Sequence, residues 1–143
     1  MRMKVWIPAG LLLVVVALLA GCTQSTGGLK VLRADPMASA SPVGLASQNV
    51  IERDGGVTFG KETPSSLLRQ LHVADPAAAL VELDKDAKAA GWVVDKPLTI
   101  TGPAGSAIYT RVAEGRSAGL TMVWVSGDQV DVALSTAGAA SRG

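Results

Sequence analysis

The sequence predicts an α+β domain, one helix packed on an antiparallel meander in the order β-α-β-β-β. Three observations carry this expectation. Apolar residues recur at helical spacing from about Pro76 to Ala90, the period then drops from 3.6 to 2, and turn residues punctuate the alternating runs. With 143 residues, 48% of them hydrophobic, the chain suits one domain and is too apolar for wholesale disorder. The expected divisions are an apolar leader at 1–21, a Ser/Gly/Pro-rich flexible tether at 22–47, the domain at 48–136 and a disordered tail at 137–143.

Each element has a local reason. Ser66 to Val73 reads as a strand with Leu67, Leu71 and Val73 on one face. Asp75 offers an N-cap oxygen to the helix, and Pro76 sits where its missing N–H costs nothing. Leu80, Leu83, Ala87 and Ala90 mark the buried helix face, Asp84 and Lys88 form an i,i+4 pair on the wet side, and Gly91 supplies a left-handed cap. Trp92-Val93-Val94 opens a strand that Pro97 confines to an edge or a bend. Ile108, Thr110 and Val112 alternate next. After the Glu114-Gly115-Arg116 turn, Leu120, Met122 and Trp124 share a face. Gly127-Asp128 signals a hairpin into a last strand, with Val130, Val132 and Leu134 inward and Gln129, Asp131 and Ser135 in water. Only 3% of residues are aromatic, so the core is aliphatic with Trp92 and Trp124 its largest members. Within the tether, Leu29, Val31, Leu32 and Met37 can pack on the domain, and Asp35-Pro36 reads as a turn. A flexible segment of that length would span about 25–30 Å and lift the domain clear of a bilayer.

The leader has a basic start, Arg2 and Lys4, and then an apolar run of 17 residues from Val5 to Gly21. This is the n-region and h-region of an export signal. It stands at the short limit for crossing ~30 Å of hydrocarbon, and no Lys/Arg cluster follows it. A retained signal anchor and an ordinary signal peptide cut at an Ala-X-Ala-like site are the competing readings. Leu19-Ala20-Gly21-Cys22 favours neither. It resembles the lipobox of bacterial lipoproteins, an aliphatic residue and two small ones before a cysteine. The resemblance implies cleavage between Gly21 and Cys22, with the Cys22 thiol accepting a diacylglyceryl group. It also implies a place on the extracytoplasmic face of a cell membrane. Losing Arg2 and Lys4 from 13 basic side chains leaves 11 against 12 acidic, so the lipid and not charge would do the anchoring. A second resemblance covers roughly 29–136. A helix ending in Ala90-Gly91-Trp92 before a meander, and an Asp-Pro-Met-Ala stretch at Asp35 to Ala38, are similar to small lipoproteins of actinobacterial type. It implies a fold and a compartment, and no activity.

Chemical motifs are sparse. A formal charge of +1 excludes a strongly basic nucleic-acid binder. One Cys and one His permit no internal disulfide and argue against a His-based metal site. Gly55 to Lys61 imitates a phosphate-binding loop, but Glu62 stands where a hydroxyl would bind magnesium, and the reading preferred is a glycine turn between short strands. His72 on its strand has no nucleophile motif beside it. The residues suggested for ligand contact are Trp92, Tyr109 and Arg111, sharing a rim suited to a glycan or carboxylate. Against that stand Trp92 as core packing and Tyr109 with Arg111 as cover for the open sheet face. The expectation is a non-catalytic, monomeric binding or accessory module of the cell envelope, with no cofactor, no metal and no catalytic residue, meeting an envelope protein or glycan. An envelope hydrolase with a dispersed active site is the alternative.

Overall fold

A computed structural model describes residues 23–25, 27–113 and 115–136. The α+β class is what it shows. The strands are β1 (Thr23–Ser25), β2 (Leu45–Arg53), β3 (Gly56–Thr58), β4 (Lys61–Glu62), β5 (Ser66–Val73), β6 (Val93–Thr101), β7 (Ala104–Ala113), β8 (Arg116–Ser126) and β9 (Gln129–Thr136). The helices are α1 (Gly28–Arg33) and α2 (Pro76–Ala89), with a 3₁₀ turn at Pro36–Ala38. Six strands form one antiparallel sheet in the order β2-β5-β9-β8-β7-β6, and β1-β3-β4 form a small second one. The order β-α-β-β-β is therefore too short. Four strands follow α2, and β2 adds a further one beyond β5.

The chain leaves β5, crosses the sheet as α2 and returns strand by strand to lie beside β5 again. The helix starts as its residues dictate: Asp75 accepts from the Ala78 N–H at 3.1 Å, and Pro76 occupies the first turn. Its Ala79, Leu80, Leu83 and Ala87 are buried against one sheet face. That face supplies Leu67, Leu71, Ala107, Leu120, Met122, Val130, Val132 and Leu134. Pro97 lies in the edge strand β6, where the pairing register shifts between Lys96 and Thr99.

The expected tether is largely folded. Leu29 and Leu32 of α1 and Met37 of the 3₁₀ turn are buried in the core, and β2 begins at Leu45. The domain therefore starts ahead of residue 48, and the apolar residues suspected of packing do pack, except Val31, which is only partly buried. Arg69, a buried cation on the helix-covered face, fastens this segment. Its Nη1 donates to the Met37 carbonyl at 2.9 Å and its Nη2 to Gln48 Oε1 at 2.9 Å. Burial pulls its guanidinium below the usual arginine value. The leader, Cys22 and the tail at 137–143 lie outside the described residues.

Gly55 explains the phosphate-loop imitation. A Cβ there would stand 2.2 Å from the Thr63 carbonyl oxygen and 2.6 Å from the Ser65 nitrogen. The glycine serves close backbone packing, and strands rather than a helix follow it. Gly55→Ala is accordingly expected to destabilise the domain by about 1–3 kcal/mol in urea unfolding, because only backbone can give way. An unchanged midpoint would show that the 63–65 segment yields freely.

Candidate functional site

Trp92, Tyr109 and Arg111 are brought together, but inward. All three lie on the helix-covered side: Trp92 is 4% exposed and Tyr109 fully buried. The expected solvent-facing rim is corrected by the register of β7. Ala107 and Tyr109 face α2, while Ile108, Thr110 and Val112 face the open side. Tyr109 and Arg111 therefore do not cover the open sheet face.

The centre of this cluster is Asp35. Its carboxylate is buried and accepts from the Met37 N–H at 2.8 Å, from Trp92 Nε1 at 3.3 Å and from Arg111 Nη2. Arg111 also donates to the Ala90 carbonyl at 3.2 Å, and its guanidinium carbon lies 4.6 Å from the centre of the Trp92 ring. That is a cation–π contact. The buried Arg111 Nε has no hydrogen-bond partner among the described residues. The arrangement joins the 3₁₀ turn, the end of α2 and the C-terminal part of β7 into one latch.

Tyr109 has a separate partner. Its hydroxyl donates to Asp84, which also accepts from Lys88 Nζ at 2.8 Å. The i,i+4 pair expected on the wet side thus has its acid turned inward: the Asp84 side chain is 15% exposed, that of Lys88 54%. Burial pushes the Asp84 carboxyl up, but the hydrogen bonds from Lys88 and Tyr109 outweigh it and leave it below the usual carboxylate range. The Tyr109 phenol is raised well above its ordinary value, first by burial and then by the carboxylate beside it.

His72 stands on the open side of β5, its Nδ1 3.2 Å from Asp128 Oδ1 at the β8–β9 turn. Its acidic partner is therefore Asp128 and not the sequence neighbour Asp75, which caps α2. Both side chains are well exposed, which screens the pair. Among the described residues, no three His, Cys, Asp or Glu side chains are grouped to hold a metal ion. No described helix is long and apolar enough to cross a membrane.

The open sheet face carries a row of paired residues, Ile51, Leu68, Ala133, Thr121, Ile108 and Lys96. Beside it lies an open hollow of about 530 Å³ lined by Val93, Thr110, Val112, Ser117, Gly119 and Ser135. It exists because Gly119 leaves a gap in the sheet surface between Thr110 and Ser135. No family model, curated protein or solved structure matches this chain. The sequence reading missed Asp35 as the partner of Trp92 and Arg111. The available signal was an acid set between the apolar Leu32 and Met37, too short a stretch to solvate a carboxylate once both flanks pack.

Asp35→Ala is expected to cost about 3–5 kcal/mol in urea unfolding, since it strands a mostly buried arginine and an indole N–H. A loss under about 1 kcal/mol would mean the latch is dispensable. Tyr109 is the only tyrosine, so tyrosinate absorbance reads it directly. A folded-state value raised above the unfolded one contributes stability that is complete below about pH 10 and lost as pH rises further. Tyrosinate should consequently appear only with alkaline unfolding, and titration of the intact fold near pH 10 would contradict the burial.

Proposed function

We propose that the chain is a membrane-anchored lipoprotein of a bacterial cell envelope, held on the extracytoplasmic face by a diacylglyceryl group on Cys22. The observation that carries this reading is Leu19-Ala20-Gly21-Cys22 at the end of an apolar run with a basic start. The position of the fold supports it. Thr23, the residue after the cysteine, pairs with Thr58, so the acylated residue would be joined directly to the described fold. Cleavage before Cys22 would therefore remove no residue of the described domain.

The domain itself would act by contact, as a monomeric, non-catalytic binding or accessory module. His72 and Asp128 are exposed, and Trp92 Nε1, the Tyr109 hydroxyl and both Nη atoms of Arg111 are occupied in holding the fold. The surface left to an envelope protein or glycan is the open sheet face with its hollow at Gly119.

In the native host, Cys22→Ala is expected to abolish labelling by a fatty-acid analogue and to leave an uncleaved precursor. A variant that still labels and matures normally would overturn the lipoprotein reading.

A further inference from the structure

The β3–β4 hairpin turns through only two residues, Phe59 and Gly60, because Thr58 pairs with Lys61. Both turn residues have positive φ, 50° at Phe59 and 73° at Gly60. That is the backbone of a type I′ turn, which favours Asn, Asp or Gly at its first position. A phenylalanine there is strained, and packing does not compensate it, for the side chain is 91% exposed. The only phenylalanine of the chain is thus held out into water at a backbone position that suits it poorly.

Its surroundings suggest what it meets. The strand beside this hairpin is β1, and Thr23 pairs with Thr58, the residue before Phe59. Paired strands lie about 4.8 Å apart, and one residue of chain spans at most ~3.6 Å. The tip therefore sits at the end of the small sheet from which the chain runs back into Cys22. Lys61, also exposed, stands on the other arm.

We propose that Phe59 is a second membrane contact, inserting its ring into the interfacial layer of the bilayer that holds the Cys22 lipid. Lys61 would meet anionic headgroups there. The inference rests on the lipoprotein reading and deepens it. One ring binds a bilayer weakly, but a domain already anchored one residue away presents it at high effective concentration. Two points of attachment also fix the orientation of the domain, which a lipid alone leaves free.

The test uses the full-length acylated protein in phosphatidylethanolamine/phosphatidylglycerol vesicles. Phe59→Cys carries an environment-sensitive fluorophore, and Val81→Cys on α2, itself 52% exposed, carries the control. Expected is a blue-shifted label at position 59, quenched by brominated lipid and protected from iodide, while the label at 81 behaves as in water. Phe59→Asn, which suits the turn and keeps the fold, should speed transfer between vesicles about tenfold, the equivalent of one buried ring. A label at 59 as open to iodide as that at 81, with Cys22 acylated, overturns the tip contact and leaves the anchor standing. Shielding that rises with protein concentration and ignores brominated lipid means that a second copy covers the tip, and it also overturns the proposal. Absence of acyl groups on Cys22 by mass spectrometry overturns both readings.

Discussion

The buried carboxylate of Asp35 is the constraint around which the N-terminal half of the fold is arranged. A carboxylate away from water must be matched by donors, and here the donors come from three separate places in the chain: Met37, Trp92 and Arg111. Satisfying it fixes the 3₁₀ turn against the end of α2 and against β7 at once. Arg69 works in the same region by the opposite chemistry, a cation held by the Met37 carbonyl and the Gln48 side chain. The two charges sandwich one short segment, which explains why residues of tether-like composition hold a fixed place.

This division of labour separates the two faces of the sheet. Trp92, Tyr109 and Arg111, the residues expected to form a recognition rim, are spent on the helix-covered side, where they are desolvated and paired. The open side keeps small and β-branched residues in register, with polar pairs such as Asn49 to Gln70 at 3.1 Å beside them. The charged groups of this side, Lys96 and the His72–Asp128 pair among them, stay in water.

How much was legible follows from how strongly each segment is buried. The helix, its cap, β5 and the strands β7 to β9 bury one face each, and burial imposes the period that a sequence shows. Edge strand β2 buries almost nothing, so Leu45–Arg53 carries no alternation to read. The strands β3 and β4 are too short for a period at all. Trp92, Tyr109 and Arg111 were legible as a group but not in direction. Residues of one strand face follow from spacing, whereas which face the helices choose depends on the sum of the other strands. Side-chain partners such as Asp35 with Trp92 lie 57 residues apart and leave no local trace.

The crossover from β5 through α2 to the far edge has a kinetic meaning as well. Ser66 pairs with Ser135, so the centre of the sheet closes only when the last strand has been delivered. Contacts this distant in sequence must overcome a large loop entropy before they stabilise anything, and topologies of this kind fold slowly. Until β9 docks, β5 is open along the side that becomes the middle of the sheet, and α2 has only part of its floor. A chain that still lacks β9 therefore lacks the strand that closes its sheet, a property that suits the proposed export, in which a polypeptide is threaded before it folds.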